Sequence, residues 1–293
     1  MNDILGQGLW GVLATPFDEH LDLDLDSLRN EVTSFAGDGC DGLVALGVFG
    51  EAASLRPHEA DAVAATVAAS TDLPYVLGLS EREPDAVVAQ AQRLLAAVPR
   101  LPAALMAQIG DVDPAVAAES LGRLHAATGI GVLVQDYPVA SGVRVTDEQV
   151  MALMGACPFA AGVKSETPPT SSAIASLAPH LDVPVFGGLG GVGLLDELAA
   201  GSAGAMTGFS HPAALAAVLQ AYRDGGFRAA RAVWAPWLPL ANFEGQARIG
   251  LAIRKEILSR RGVIGSGRVR PPALPLPDSM VPLLDQHLAT IPV

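Results

Sequence analysis

Lysine is nearly absent from this chain, and several other residue types are scarce. Only Lys164 and Lys255 are lysines among 18 basic residues, which face 31 acidic ones, so the formal net charge is −13. Binding to a phosphate backbone needs clustered Lys and Arg, and we therefore predict no nucleic-acid partner. The two cysteines, Cys40 and Cys157, have no disulfide or metal-ligand spacing. This usage is typical of a reduced compartment and favours a cytoplasmic protein.

Long apolar runs and an export signal are also missing. Half of the residues are hydrophobic, which is too many for a disordered chain. Glycine, proline or a charge interrupts every apolar run before the roughly 18 to 20 residues that cross a bilayer. Residues 1–11 have no basic segment ahead of an apolar stretch, so we expect no signal peptide. We predict a soluble protein with a large apolar core and no membrane partner.

Short apolar segments alternate with Ala- and Leu-rich segments of helical character. Strands are predicted at residues 11–14, 42–46, 75–78, 103–106, 131–134, 161–164, 185–187 and 203–207. Helices are predicted at residues 28–36, 57–69, 84–97, 114–127, 147–156, 171–181 and 194–200. Strands that are apolar on both faces and alternate with helices imply a covered parallel sheet. Eight such units predict the α/β class and a (β/α)8 TIM barrel.

The chain changes character after about residue 211. Residues 213–222, 227–237 and 241–258 have the pattern of helices, and a proline-rich run and a last helix from about Ser279 follow them. We predict a barrel over residues 1–222 and a C-terminal helical extension over residues 223–293 that packs on the barrel.

Lys164 ends the apolar strand predicted before it. The C-terminal ends of barrel strands are where catalytic groups collect. Desolvation favours the free amine of a lysine, which can attack a ketone and form a Schiff base. The alternative is a lysine that pairs with Glu166 or extends to solvent. Because the chain uses arginine almost everywhere else, and a guanidinium cannot form an imine, a retained lysine favours amine chemistry.

Several short motifs follow one another in a family-specific order. They are Thr15-Pro16-Phe17, Gly-x-x-Gly-Glu at residues 47–51, the Pro138 turn, Gly162-Val163-Lys164 and a glycine-rich turn after the seventh strand. With them, the chain resembles the dihydrodipicolinate synthase and N-acetylneuraminate lyase family of class I aldolases, over residues 10–230. The resemblance implies a (β/α)8 barrel, usually a homotetramer. It also implies an imine between Lys164 and pyruvate or another 2-keto acid, with no other cofactor.

The chain departs from the family pattern at four places. Val48 and Phe49 stand where the family has two threonines, and Gln135 stands where it has a relay tyrosine. Residues 107–113 contain no counterpart of the tyrosine that the family contributes across a dimer interface. Residues 139–140 are Val-Ala, where the synthases have the arginine that binds aspartate semialdehyde. We therefore predict that the chain is not a true dihydrodipicolinate synthase.

Glu166 and Tyr137 are the candidate replacements for the missing proton relay. Side chains alternate along a strand, so Glu166 should face the same side as Lys164, and Tyr137 the same side as Gln135. Glu166 is either a general acid or base or the partner in an ion pair. Tyr137 is either a proton donor or a packed aromatic. Gln135 either contacts the substrate or has a structural role.

The predicted substrate-binding residues all lie at the C-terminal ends of strands: Thr15, Val48, Phe49, Gly50, Asp136 and Gly188. The backbone N–H groups of Phe49 and Gly50 are expected to hold the carboxylate of a keto acid in a nest-like turn. Asp136 is expected either to accept hydrogen bonds from substrate hydroxyls or to have a structural role.

Residues 188–193 match the pattern G-x-G-x-x-G between a strand and a helix. A dinucleotide site also needs an acidic residue about 20 positions further on, and residues 210–220 contain none. We favour a turn that lets substrate approach the backbone. His211, near the same rim, is expected to be solvated, with an acid or anion-binding role as the alternative. No His, Asp or Glu spacing indicates a metal site.

Taken together, these features predict a cytoplasmic class I lyase, an aldolase or a dehydratase, that acts on a small 2-keto acid, with sugar-acid derivatives as candidates. Lys164 would form the imine, and Glu166 or Tyr137 would move protons. The alternative is a diverged barrel that binds a keto or sugar acid without turnover. The hydroxyl groups lost at Val48, Phe49 and Gln135 favour that alternative, whereas Lys164 favours an enzyme. A homo-oligomer, a dimer or tetramer, is expected from the family.

Overall fold

Eight parallel strands form a nearly closed barrel in residues 5–292, the part of the chain that the computed structural model describes. Strands follow one another around the sheet in chain order, the eighth pairs with the first, and a bridge from Gly187 to Ala205 joins the seventh to the eighth. The strands are β1 Gly8–Val12, β2 Gly42–Ala45, β3 Tyr75–Gly78, β4 Ala104–Gln108, β5 Val132–Asp136, β6 Ala160–Ser165, β7 Val185–Phe186 and β8 Gly204–Thr207. The predicted (β/α)8 TIM barrel is confirmed.

Twelve α-helices occur in the same residues. They are α1 Leu25–Gly37, α2 Pro57–Ser70, α3 Pro84–Ala97, α4 Pro114–Thr128, α5 Pro138–Ser141, α6 Asp147–Ala156, α7 Thr170–Leu177, α8 Leu194–Ala199, α9 Pro212–Trp234, α10 Leu238–Glu244, α11 Gly250–Arg260 and α12 Val281–Leu288. Five of them begin with proline, whose fixed φ suits a first helical turn. At α6, the Thr146 side chain accepts from the backbone N–H of Gln149, and the Gln149 side chain accepts from that of Thr146.

Apolar side chains fill both sides of the barrel wall. Side chains that alternate along the strands, such as Trp10, Val44, Met106 and Phe186, fill the interior. A larger group packs the outer face of the sheet against the helices. The interior is therefore a packed core, and in barrels of this kind catalytic groups collect at the C-terminal ends of the strands.

The register of the sheet places three polar side chains side by side at that end. Gln108 of β4 lies beside Gln135 of β5, and Gln135 lies beside Lys164 of β6. Phe186 of β7 is the next neighbour of Lys164. Parallel pairing thus brings residues that are distant in sequence to one edge of the barrel.

The C-terminal extension agrees with the prediction at its start and differs from it in the middle. The two helices predicted at residues 213–222 and 227–237 correspond to two segments of α9, which meet at a kink where Gly226 has non-helical angles, φ 65° and ψ −162°. Glycine tolerates this positive φ, which interrupts the helix, and the segment beyond it buries Trp234 in the core. Two helices, α10 and α11, replace the one predicted at residues 241–258. The domain boundary predicted after residue 222 falls inside α9.

Two sequence predictions concern transport and location. Among residues 5–292, no helix combines the length and apolar character needed to cross a membrane. The expected absence of a signal peptide concerns residues 1–11, of which residues 1–4 lie outside the described residues.

Candidate active site

A cavity of about 960 Å³ opens at the C-terminal end of the barrel. It is lined from the loops after most strands and from the C-terminal extension. All four predicted catalytic side chains line it: Gln135, Tyr137, Lys164 and Glu166. Their roles stay predictions, but the fold brings them into one place.

Lys164, Glu166 and Gln135 form one buried polar group in this cavity. The Nζ of Lys164 lies 3.2 Å from Oε2 of Glu166. Nε2 of Gln135 donates to the same oxygen at 2.7 Å. The ion pair left open as an alternative is therefore present. A carboxylate in contact with an ammonium group can also accept its proton, which would free the amine that an imine requires.

The position of Glu166 is defined by its backbone and by a glycine. Its N–H donates to the carbonyl of Asp136 at 2.9 Å, which joins it to the end of β5. Its side chain lies over Gly188, where a Cβ would come within 2.3 Å of Oε1 of Glu166. The close approach to this glycine-rich turn is thus made by Glu166. Substrate contact at Gly188 stays a prediction.

Tyr137 lies half-buried between β5 and α5. Burial raises the pKa of its phenol, the charge of Glu166 raises it further, and Arg254 opposes the rise. The phenol is consequently protonated at neutral pH, where it can donate a proton but cannot accept one as a base. Its neighbour Asp136 points out of this row because side chains alternate along β5. Burial raises the pKa of the Asp136 carboxyl as well.

Hydrogen bonds from Thr15 and Lys255 hold the loop after β2 in place. Oγ1 of Thr15 donates to the carbonyl of Gly50 at 2.6 Å. The Nζ of Lys255 donates to the carbonyl of Thr15 at 2.9 Å and to Oε1 of Glu51 at 2.8 Å. Thr15 therefore shapes the loop. Within residues 5–292 the N–H groups of Phe49 and Gly50 make no hydrogen bond. Phe49 lines the cavity, whereas Gly50 is buried behind it and does not.

The ring of Phe49 bridges the mouth of the cavity. A Cβ at Gly208 would lie 2.7 Å from Cδ1 of Phe49, so the ring packs on the backbone at the end of β8. Arg254 belongs to α11, and its guanidinium carbon lies 5.0 Å from the centroid of the Phe49 ring. Val48, which also lines the cavity, is 51% exposed. An aromatic ring and an exposed valine thus occupy the positions where the family has hydroxyl groups.

Arg254 and Thr207 line the cavity and were not predicted from the sequence. Thr207 ends β8, and its Oγ1 accepts from the N–H of Gly190 at 2.7 Å. It ends a predicted strand, so its position was a usable signal. Arg254 lies on a helix of the extension, and only the tertiary fold brings it to the barrel mouth. The signal there was an Arg-Lys pair inside an apolar helical stretch, which is costly without partners.

His211 lies in an aromatic cluster instead of open solvent. Its ring centroid is 5.0 Å from that of Trp237 and 5.9 Å from that of Phe209. Burial lowers its pKa to about 4, so the imidazole is neutral at pH 7. The side chain is half-buried and not solvated as expected, because the rings of Phe209 and Trp237 pack against it. Across the described chain, no group of three His, Cys, Asp or Glu side chains has a geometry that could hold a metal ion.

A parallel barrel with a buried lysine at the end of β6 and a carboxylate against its amine defines a lyase of the class I aldolase type. Curated relatives agree. The chain is 30% identical over 288 residues to L-2-keto-3-deoxyarabonate dehydratase of Azospirillum brasilense, covering 95% of this chain and 92% of the relative. It is also 30% identical over 290 residues to 4-hydroxy-tetrahydrodipicolinate synthase of Xanthomonas axonopodis pv. citri, covering 96% and 93%.

Solved structures show the same fold. Dihydrodipicolinate synthase from Rhodopseudomonas palustris superposes with a TM-score of 0.90 at 24% identity, over 99% of both chains. No family model matches the sequence. On the curated relatives, the chain belongs to the dihydrodipicolinate synthase family, whose members are Schiff-base lyases. The family resemblance inferred from the motifs is confirmed.

Proposed function

We propose that Lys164 forms an imine with the C2 carbonyl of a 2-keto-3-deoxy sugar acid and that the enzyme dehydrates it. One observation carries the proposal. Lys164 is buried at the barrel mouth with Glu166 3.2 Å from its Nζ, inside a cavity lined by several polar groups. The similarity to L-2-keto-3-deoxyarabonate dehydratase over most of both chains supports this substrate class.

The chemistry needs a group that moves protons next to the imine. The iminium nitrogen attracts electrons, so a base can remove a proton from C3 and leave an enamine. The enamine then expels the C4 hydroxyl as water when an acid protonates that oxygen, and hydrolysis of the remaining imine restores Lys164. Glu166 is the proposed base, since Gln135 holds its carboxylate beside Nζ. Tyr137, protonated at neutral pH, is the proposed acid.

Two backbone N–H groups are the proposed site for the C1 carboxylate. Those of Phe49 and Gly50 lie in the loop that Thr15 and Lys255 hold. A nest of this kind binds an anion without a basic side chain. Under this proposal, the covalent imine supplies the reactivity and no other cofactor takes part.

The residues of the cavity fit dihydrodipicolinate synthesis less well than they fit dehydration of a 2-keto-3-deoxy sugar acid. The two curated relatives have the same identity to this chain, 30%, so overall similarity does not choose between their activities. The residues do: Gln135 cannot relay a proton, and residues 139–140 offer no arginine for aspartate semialdehyde. We therefore propose that the chain lacks this activity.

Reductive trapping tests the proposed function. The protein is incubated with pyruvate and with several 2-keto-3-deoxy sugar acids, reduced with borohydride and digested. We expect an adduct on the Lys164 peptide and none on the Lys255 peptide, which serves as an internal control because Lys255 is fully buried. Absence of an adduct with every acid would contradict the Schiff-base proposal.

Turnover separates the enzyme from the binding alternative. Mass spectrometry of the reaction mixture should show a product that has lost one water from the substrate. An adduct on Lys164 without any product would favour a barrel that binds a sugar acid without converting it. A homo-oligomer and a cytoplasmic location stay proposals, the first to be tested by light scattering and the second by cell fractionation.

A further inference from the structure

The cavity contrasts with the charge of the whole molecule. The chain carries a net charge of −13. The cavity lining, however, has five basic side chains against three acidic ones: Arg82, Lys164, Arg248, Arg254 and Arg270 against Glu51, Glu166 and Glu244. A basic lining in an acidic protein indicates an anionic ligand.

Most of these cations already have a partner or lie in solvent. Arg82 donates to the carbonyl of Ala140 at the outer edge. Arg270 makes two hydrogen bonds to Glu59, each of 2.8 Å. Arg248 is exposed at the mouth. Lys164 is assigned to the imine. Arg254 therefore requires a separate explanation.

The guanidinium of Arg254 is largely buried, and its Nε has no hydrogen-bond partner within residues 5–292. Its side chain is 13% exposed, and Nε lies 3.3 Å from Oε2 of Glu244 but lacks hydrogen-bond geometry. Glu244 instead accepts hydrogen bonds from the backbone and hydroxyl of Ser210. Within residues 5–292 Nε of Arg254 is a buried donor without a hydrogen-bond partner. An N–H donor without an acceptor is costly in a buried place unless a ligand supplies one.

Gly190 makes room for this side chain. A Cβ at Gly190 would lie 2.5 Å from Nη2 of Arg254, and Gly190 has φ +73°. The glycine-rich turn after β7 thus accommodates Glu166 at Gly188 and Arg254 at Gly190. Phe49 lies between the proposed carboxylate nest and Arg254. Its N–H belongs to the nest, and its ring packs against the guanidinium of Arg254.

We propose that Arg254 binds a second carboxylate, at the end of the substrate away from the imine. The inference rests on the proposed function and narrows its substrate to dicarboxylic 2-keto-3-deoxy acids. A guanidinium matches a carboxylate with two parallel hydrogen bonds, which a terminal hydroxymethyl group cannot accept in the same way. Arg254 is then a specificity-determining residue for a substrate with an anion at each end.

Matched pairs of keto acids test the proposal. In 2-oxoadipate and 2-oxohexanoate, and in 2-oxoglutarate and 2-oxopentanoate, the members of each pair share a chain length and differ in one terminal carboxylate. Calorimetry should show about tenfold tighter binding of the dicarboxylic member by the wild type, the effect of one charge-assisted contact. Arg254→Gln should remove this preference and leave the monocarboxylic acids unchanged. Arg254→Lys should keep part of it.

The control is Arg248→Gln, which removes an exposed cation from the same cavity and should keep the preference. Equal loss of binding for all acids in Arg254→Gln, or no preference in the wild type, would overturn the proposal. Where Arg254→Gln does not fold, the pair Arg254→Gln with Glu244→Gln removes both buried charges and allows the same measurement. Borohydride trapping tests the imine separately. If the wild type prefers dicarboxylic acids but forms no imine, the role of Arg254 is supported and the Schiff base is contradicted. If it forms an imine but has no such preference, the Schiff base is supported and the role of Arg254 is contradicted.

Discussion

Lys255 carries a charge that is completely buried behind the active-site loop. Its Nζ lies 2.8 Å from Oε1 of Glu51, donates to Thr15 and lies 4.4 Å from the centroid of the Phe17 ring. Burial lowers the pKa of this lysine, and Glu51 opposes the change. Replacing Lys255 by Met leaves the Glu51 carboxylate buried without its cation. We expect a loss of about 3–5 kcal/mol in the free energy of unfolding, measured in urea.

The double variant Lys255→Met with Glu51→Gln is the comparison for that result. It removes both charges, so its free energy of unfolding should be higher than that of Lys255→Met alone. Equal losses in the single and double variants would show that the pair is not what stabilises the loop.

Glu31 gives the protein a pH-dependent stability. It is buried, accepts one hydrogen bond from the N–H of Ala14 at 2.8 Å, and burial raises its pKa to about 8 from an ordinary value of 4.5. Between these values the folded state holds a proton that the unfolded chain has released. The free energy of unfolding contributed by Glu31 therefore falls as pH rises from about 4.5 to 8, by up to about 1.4 kcal/mol per pH unit.

Glu31→Gln should remove this contribution, because glutamine does not titrate in this range. Denaturation at several pH values measures it: the stability of the wild type relative to Glu31→Gln should decline across that interval and stay constant above it. A constant difference from pH 4 to pH 9 would contradict the assignment.

Glu166 is the residue on which turnover should depend most strongly after Lys164. Glu166→Gln keeps the size of the side chain and loses the base, so we expect kcat to fall by about 10²- to 10⁴-fold. Binding of a keto acid should change much less. Tyr137→Phe is the companion variant, and a smaller fall in its kcat would place the two residues in different steps. Steady-state assays with a 2-keto-3-deoxy acid measure both, and unchanged kcat in Glu166→Gln would exclude Glu166 as the base.

Single residues were predictable where a motif or a strand end marked them. The scarcity of lysine marks Lys164 and Lys255 equally. Only the position of Lys164 at the end of a predicted strand indicates that it, and not Lys255, is catalytic. Alternation along the strand also placed Glu166 beside Lys164. Arg254 was not predictable in this way, since its role depends on how α11 lies across the barrel mouth. No local pattern shows that contact.

Elements were predictable in kind, and their ends less so. β3 has the predicted bounds, Tyr75–Gly78, whereas β1 begins at Gly8 instead of residue 11. The glycines near this position predicted a strand boundary. Gly8 nevertheless pairs with Gly204 of β8, and the local sequence does not show that a distant strand supplies this pairing. The glycine pair at residues 225–226 predicted a break between two helices, and Gly226 does interrupt α9 there.

The turn between β7 and α8 offers a prediction at this scale. A Cβ at Gly188 would lie 2.3 Å from Oε1 and 2.9 Å from Cγ of Glu166. Gly188→Ala should therefore displace the carboxylate from Lys164 and reduce kcat strongly, while the barrel still folds. Gly155→Ala is the control, because a Cβ there meets nothing within 4 Å. Full activity in Gly188→Ala would show that the position of Glu166 is not critical.

The larger of the two apolar groups, between the sheet and the helices, includes side chains of the extension. Trp234, Ile253 and Leu284 are fully buried and belong to the same apolar group as the outer face of the barrel. Two ion pairs also join the extension to the barrel: Lys255 pairs with Glu51, and Arg270 pairs with Glu59. In both pairs the carboxylate belongs to the barrel and the cation to the extension. Each part therefore leaves buried charges uncompensated without the other.

A chain cut at the predicted domain boundary should not form a stable barrel. Residues 1–222 end inside α9, lose Trp234 from the core and leave Glu51 and Glu59 without Lys255 and Arg270. The loss of buried apolar surface adds to the cost of these unpaired charges. We expect circular dichroism to show no cooperative thermal transition for residues 1–222. A chain that ends at residue 289, just beyond α12, is the control and should unfold like the full protein. A cooperative transition in the shorter chain would instead establish the barrel as an independent domain.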